Sequence, residues 1–260
     1  MFSQKSTFFY LWLSNIHQSL SSMKHKTQHK NPDCSNCAVR ASSIFCELEQ
    51  RFLDTTPHKK KCNVYRKGDT IFYEDNHPLG IYCIYNGKAK LSKTNEYGKE
   101  QIIRLAKEGD VLGYRSLISG ESYNATATAL EDCSICFIPQ DMFLEFLKDS
   151  KNLFLQVTQL LADDLKTAEN HVAALAQKSV RERVADTILM LSTFYGLEED
   201  SQTIMAILSR EDLANLVGTA TESVIRMLSE FKNEKLIALP SRKIKILNIN
   251  KIKEIAHQYD

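Results

Sequence analysis

The sequence predicts an α+β chain: an N-terminal antiparallel β-roll, then one long helix, then a compact helical domain with a short hairpin. Three observations predict it. Residues 62–137 alternate in hydrophobicity over short segments broken by turn residues. Residues 141–177 contain no Gly or Pro and are dominated by helix formers. Two short amphipathic stretches then flank Gly218 and Thr219, and a basic turn follows them.

Residues 1–33 are polar and basic, carry no period, and read as a mobile arm. The apolar run FFYLWL at 8–13 is too short to span a bilayer, which needs about 20 residues. As a signal-peptide core it lacks a clean cleavage pattern, so residues 1–22 read as a tail or as an extension ahead of a start at Met23. Residues 34–55 form a cysteine-rich segment, where CSNCAVRASSIFC brings Cys34, Cys37 and Cys46 together. Seven cysteines is an odd, unevenly spaced set that fits reduced thiols in the cytoplasm better than a secreted disulfide framework. The roll is expected over 56–150, with strands within 64–74, 80–94, 100–113 and 124–139. Asn86-Gly87 is the expected hairpin turn, because both residues tolerate positive φ.

The long helix is expected over 151–177. Phe154, Thr158, Leu161, Leu165, Ala168, Val172 and Leu175 recur at alternating spacings of four and three, with the polar Thr158 as the weak rung of a heptad seam. Such a seam pairs with a copy of itself and predicts a homodimer; the same spacing also suits a helix packed on its own domain. A second domain spans 178–260. SVRERVADTILMLSTFYG reads as a helix ending at Gly196, and Glu198, Glu199 and Asp200 form an acidic loop read as far from any bound nucleic acid. SREDLANLV and TESVIRMLSEFKNEKL read as helices, and IALPSRKIKILNI as two strands around a Pro-Ser-Arg-Lys turn. Together they make a winged helix-turn-helix. Ser209 with Asp212, and Thr219 with Glu222, are the expected capping boxes of the two helices.

Glu222 and Arg226 stand one turn apart on the second helix, which would enter the major groove with Thr221, Ser223 and Ile225 beside them. A carboxylate accepts from cytosine N4, and a guanidinium bonds guanine O6 and N7. Either residue also has a plainer role, Glu222 as part of the cap and Arg226 as a solvated charge. Arg242, Lys243 and Lys245 on the wing are the candidate phosphate contacts. Formal net charge is only +1, and residues 178–260 hold about 12 basic and about 12 acidic side chains, so no global field announces nucleic acid. No catalytic constellation, phosphate-cradling Gly loop or HExxH motif occurs, so no enzyme is expected.

Over residues 34–257 the sequence resembles the Crp–Fnr family of bacterial transcription regulators, carried by the order of elements and by GTATESVIRMLSEFKNEKLI, which looks like the family's recognition helix. The resemblance implies a cyclic-nucleotide-binding-like roll, a dimerisation helix and a winged helix-turn-helix. It also implies palindromic DNA with TGA-type half-sites, contact with RNA polymerase and a cytoplasmic, membrane-free setting. Arg226 would carry the guanine contact, and Ile225 stands where the family usually has a small or polar residue. The family's cyclic-AMP motifs become Gly113-Tyr114 and Ser122-Tyr123, without the carboxylate and guanidinium, so no cyclic AMP is expected.

The iron–sulfur branch of the family binds a four-iron four-sulfur (4Fe-4S) cluster through an N-terminal cysteine group and one cysteine of the roll. The resemblance assigns these ligands to Cys34, Cys37, Cys46 and Cys136, the last in SICFIP, and implies a sensor of oxygen or nitric oxide. Strand alternation agrees, since Cys136 points opposite to Ile135 and Phe137. Four thiolates equally suit zinc, with His25 or His29 as a further ligand, or a metal-free set of thiols in a regulator whose roll takes another small ligand. Cys62, Cys83 and Cys133 read as small buried side chains, and His171 as a packing residue.

Overall fold

The computed structural model describes residues 34, 36–48, 51, 54 and 60–257. The arm at 1–33, with the 8–13 run, Met23, His25 and His29, lies outside the described residues, as does much of 49–59.

The expected antiparallel roll is built from two four-stranded sheets. In the first, β1 (Lys61–Tyr65), β8 (Cys133–Pro139), β3 (Gly80–Asn86) and β6 (Val111–Leu112) lie side by side in that order. In the second the order is β2 (Thr70–Phe72), β7 (Thr126–Ala129), β4 (Ala89–Thr94) and β5 (Glu100–Ala106). Between the sheets lie Ile71, Phe72, Ile84, Ala89, Leu112, Ala127, Cys133 and Ile135 of these strands, with Tyr123 from the segment before β7. Cys133 is buried there, as its surroundings in sequence suggest.

Asn86-Gly87 does not make the expected hairpin. β3 and β4 pair in different sheets, so this turn is a corner that carries the chain from one sheet to the other. Of the two residues only Gly87 takes a positive φ, at 94°, whereas a two-residue hairpin of the expected type needs both. The hairpin that does close joins β4 to β5, where Asn95 Oδ1 accepts from the backbone N–H of Tyr97 at 3.0 Å and of Lys99 at 2.9 Å.

Helix α1 (Tyr114–Ser119) follows β6, and α2 (Gln140–Asp149) follows β8. Ser150 is extended, at φ −112° and ψ 108°, and breaks the helical run. Its hydroxyl accepts from the Leu153 N–H at 3.3 Å and starts α3 (Lys151–Gln177), 27 residues and about 40 Å long. The outer face of the first sheet is apolar and is covered by α2, the start of α3 and residues 34–48. Ile44, Phe45 and Leu48 join Ile81, Ile138, Phe143, Phe146, Leu153 and Val157 in one core. Gly109, at φ 90°, permits that approach, because a Cβ there would stand 2.5 Å from Ser42 Oγ.

The C-terminal half consists of α4 (Val180–Tyr195), α5 (Arg210–Val217), α6 (Thr221–Asn233), the wing strands β9 (Ile237–Ala238) and β10 (Lys245–Ile246), and α7 (Ile249–Ile255). Ile188, Leu213, Val224, Leu228, Phe231 and Ile252 are buried together, and Ile102 of β5 is buried with them. The helix-turn-helix is therefore docked on the roll. A polar clamp flanks that apolar contact: Lys90 Nζ lies 2.8 Å from Glu100 and 3.1 Å from Asp212, and Asn215 Nδ2 donates to Glu100 at 3.1 Å.

Burial pushes the Glu100 and Asp212 carboxyls up, but bonds from Lys90, Asn215 and Ser209 outweigh it, and both end below the usual carboxylate range. Their stabilisation is present above the ordinary carboxylate pKa and is lost as pH falls below it. Lys90→Ala should cost about 1–3 kcal/mol at neutral pH, since it leaves two half-buried carboxylates facing each other. Urea unfolding of wild type and variant, repeated from about pH 7 down to about pH 3, should show the gap closing as the carboxylates protonate.

Candidate functional site

Strand β8 lies between β1 and β3, and its register sets Cys136 opposite Cys62 on one side and Cys83 on the other. Cross-strand partners point to the same face, so three sulfurs share the outer face of the sheet while Ile135 enters the roll core. Residues 34–48 pack over that face. Cys34, Cys37, Cys83 and Cys136 line one cavity of about 60 Å³ together with Lys60, Phe45 and Phe146. Lys60 is only 5% exposed, and its ammonium donates to Cys34 Sγ at 3.1 Å. The Cys83 thiol is pushed far up, by burial first and by the neighbouring Cys34 and Cys37, with Lys60 acting against them. Cys46 is half-buried on the turn beyond and does not line the cavity.

Two readings of the cysteines need correction. Cys62 is bonded to Cys136, with Cα atoms 4.0 Å apart, so the seven thiols are not all reduced and Cys62 is not merely a small buried side chain. The reason is register: the two residues are 74 apart in sequence, and nothing local reveals that β1 and β8 are neighbours. Cys83, also read as filler, belongs to the cavity. Among the described residues, no group of three or more His, Cys, Asp or Glu is gathered closely enough to hold a metal ion.

The two motif positions of the roll are engaged internally. Tyr123 stacks on Phe72 with ring centroids 4.0 Å apart, and its hydroxyl donates to the Gly80 carbonyl at 3.3 Å. Tyr114 donates its hydroxyl to the Asp164 carboxylate on α3, which Arg104 of β5 also reaches at 3.2 Å. Burial, then this bond to Asp164, pushes the Tyr114 hydroxyl up, so it stays a donor. Tyr114 thereby ties the roll to the long helix, a contact that no local sequence signal announces.

Ser209 caps α5 as expected, accepting from the Asp212 N–H at 2.9 Å. Asp212 does not close the box, since its carboxylate accepts from the Ser209 hydroxyl at 2.7 Å, and the expected box of Thr219 and Glu222 does not form at all. Helix α6 starts at Thr221, where its pattern predicts, but Ala220 rather than Thr219 stands at the cap and makes no side-chain cap bond. Glu222 is thus released from capping and is exposed beside exposed Ile225 and Arg226, with Thr221 and Ser223 half-buried next to them. Arg183 of α4 fixes the intervening turn, donating to the carbonyls of Val217 at 3.0 Å and Gly218 at 3.4 Å.

At the wing, Ser241 and Arg242 both take positive φ, 48° and 71°, which turns the exposed Arg242 out at the tip. The acidic loop is not remote. Leu197 bridges Ile204 and Thr203 bridges Lys245, so the loop lies along the wing. Glu198 pairs with Lys243, and Asp200 with Lys245 at 3.1 Å. Backbone and hydroxyl bonds from Thr203, then the Gln202 N–H, hold the Asp200 carboxyl far below the usual range.

On α3 the seam residues turn to solvent: Phe154 is 55% and Val172 66% exposed, and Thr158, Leu165, Ala168 and Leu175 are exposed too, with Leu161 half-buried. Among the described residues, no helix is long and apolar enough to cross a membrane.

A β-roll joined by a long helix to a winged helix-turn-helix, with a carboxylate and a guanidinium free on the second helix, defines a DNA-binding regulator. A cyclic nucleotide-binding domain model matches residues 62–150 and a Crp-like helix-turn-helix domain model matches residues 182–255. The chain belongs to the Crp–Fnr family of transcription regulators. It is 27% identical over 224 residues to the nitrogen fixation regulation protein FixK of Bradyrhizobium diazoefficiens, across 86% of this chain and 93% of that protein. To the fumarate and nitrate reduction regulatory protein of Vibrio cholerae it is 26% identical over 227 residues, across 86% of this chain and 90% of that protein. The fold matches the solved structure of FixK2 from Bradyrhizobium japonicum with a TM-score of 0.68 and 24% identity, across 75% of this chain and 96% of that one.

Arg226→Ala should weaken binding to a cognate palindrome by roughly 1–3 kcal/mol per half-site and leave scrambled DNA nearly unaffected. Fluorescence anisotropy on both duplexes checks this; equal losses on the two would mean that Arg226 contacts phosphate.

Proposed function

We propose that the protein is a homodimeric regulator of oxygen- or nitric-oxide-responsive genes, with a 4Fe-4S cluster on Cys34, Cys37, Cys46 and Cys136 as its sensor. The observation that carries this reading is that the thiol-lined cavity sits under residues 34–48, whose Ile44, Phe45 and Leu48 share a core with Leu153 and Val157 of α3. A change at the cysteines therefore bears directly on the helix whose exposed seam suits pairing with a second copy. The names of the relatives, a nitrogen fixation regulator and a fumarate and nitrate reduction regulator, fit that signal class.

The donors fit the group in chemistry. Four soft thiols suit a cluster, three of them line one cavity, and the Lys60 ammonium offsets the negative charge that thiolates bring. Two movements complete the set: Cys46 turns toward the cavity and Cys136 parts from Cys62. When bound, the cluster supplies the redox-sensitive group. Everything downstream belongs to the chain: Phe45 and Leu48 press on α3, Tyr114 and Arg104 hold Asp164, and α3 orients the two recognition helices. Thr221, Glu222, Ser223, Ile225 and Arg226 face TGA-type half-sites, and Arg242, with Lys243 and Lys245, faces phosphates. RNA polymerase is the further partner. Cyclic AMP has no place in this reading, because Tyr114 stands where its carboxylate partner is needed and Ser122 where its guanidinium partner is needed.

Anaerobic purification under reducing conditions should give a brown protein carrying about four iron and four sulfide per chain. Cys136→Ala and Cys46→Ala should each lose most of both while keeping their far-UV dichroism. A colourless wild type holding one zinc per chain would replace the cluster with a structural metal.

A further inference from the structure

We propose that Cys62 and Cys136 form a reversible dithiol–disulfide pair whose closed form denies a metal centre in the cavity the thiolate it needs from Cys136. The proposal rests on the reading of Cys136 as a ligand. Four observations carry it. Cys136 is the one cavity-lining thiol already bonded to another residue. Its partner Cys62 does not line the cavity, so the bond commits the Cys136 sulfur to an atom outside it while Cys136 still borders the cavity beside Cys34 and Cys37. A single sulfur cannot complete a disulfide and serve as a thiolate ligand at once, because the ligand must be deprotonated and free. Finally, the two ends differ in access: Cys62 is half-buried on an edge strand between exposed Lys61 and Asn63, whereas Cys136 is 6% exposed on an inner strand.

That asymmetry sets the order of the chemistry. A low-molecular-weight disulfide, R–S–S–R, meets the Cys62 thiolate first; its S–S bond breaks, one RSH leaves and a Cys62–S–S–R mixed disulfide forms. Cys136 then attacks the Cys62 sulfur, releasing the second RSH and closing the Cys62–Cys136 bond. Two protein thiols are oxidised, the small disulfide is reduced, and the two protons leave with the two RSH. A small thiol in excess runs the sequence backward, opening at Cys62 with Cys136 as the leaving thiolate, which frees that sulfur to act as a ligand.

The test uses the full chain in two arms. In the first, the protein is equilibrated in buffers of reduced and oxidised glutathione, alkylated and digested. A Cys62–Cys136 peptide should appear and disappear reversibly across the series. In the second, reduced and oxidised samples are offered iron with sulfide, and separately cadmium as a thiolate probe read by its charge-transfer absorbance. Oxidised wild type should load at least fivefold less than reduced wild type, and Cys62→Ser should load equally before and after oxidation. Cys62→Ala serves as a second variant should the serine disturb β1. Absence of the linked peptide, or equal loading of oxidised and reduced wild type, overturns the proposal. If reduced wild type takes neither metal while the peptide still cycles, the cluster reading of Cys136 is what fails, and the gating role falls with it.

Discussion

An apolar sheet face that has to be kept from water organises the N-terminal half of this molecule. The outer side of β1, β8, β3 and β6 presents Ile81, Val111 and Ile138, and the chain covers it with three separate pieces. Phe143 and Phe146 come from α2, Leu153 and Val157 from α3, and Ile44, Phe45 and Leu48 from the cysteine segment. Each such side chain is worth on the order of 1.5–3 kcal/mol when fully buried. The cysteine segment is therefore held by its hydrophobes and carries its sulfurs along with it. Because the same core receives the first turns of the long helix, the thiols and the helix are coupled by packing, which has discrete arrangements and little compliance.

The two halves of the chain are joined by a second shared surface. Ile102 belongs by sequence to the roll and by burial to the core of the DNA-binding half. Lys90, Glu100, Asp212 and Asn215 seal its rim. The first helix of the helix-turn-helix thus rests on β5, and Arg183 fixes the turn that aims the second. Recognition geometry is set by backbone carbonyls and buried apolar contacts, leaving Glu222 and Arg226 free to meet a partner.

Elements whose signals are local were legible in the sequence. The Gly- and Pro-free run gave the long helix, and Ser209 marked the start of α5. What was missed depended on partners far along the chain. Asn86-Gly87 carried a sound turn signal, but whether a turn closes a hairpin or rounds a corner is decided by which strands pair, and that is tertiary information. Cys62 and Cys83 looked like filler because their value comes from lying either side of Cys136 in register. Thr219 carries the same cap signal as Ser209, yet in the turn pinned by Arg183 it is Ala220 that stands at the cap. Glu198 and Asp200 were read as remote, because an acidic loop shows nothing in sequence of the basic strand it folds against. In the thiol site, Cys34, Cys37 and Cys136 could be named from the family resemblance, with the C-x-x-C spacing and strand alternation in agreement, whereas Lys60 could not.

The pairing of the wing with its own acidic loop changes how this protein trades ions with DNA. A duplex gives up condensed counterions for each phosphate that a free lysine neutralises, and that release drives sequence-blind attachment. Lys243 and Lys245 have Glu198 and Asp200 already against them, so under the proposed wing contact a phosphate would displace a carboxylate, and one anion would be swapped for another. The entropy of released salt is correspondingly small at these two positions, and Arg242 at the tip keeps the unpaired share. A regulator built this way leans less on the charge of the backbone and leaves more of its affinity to the base edges that tell one site from the rest of the genome.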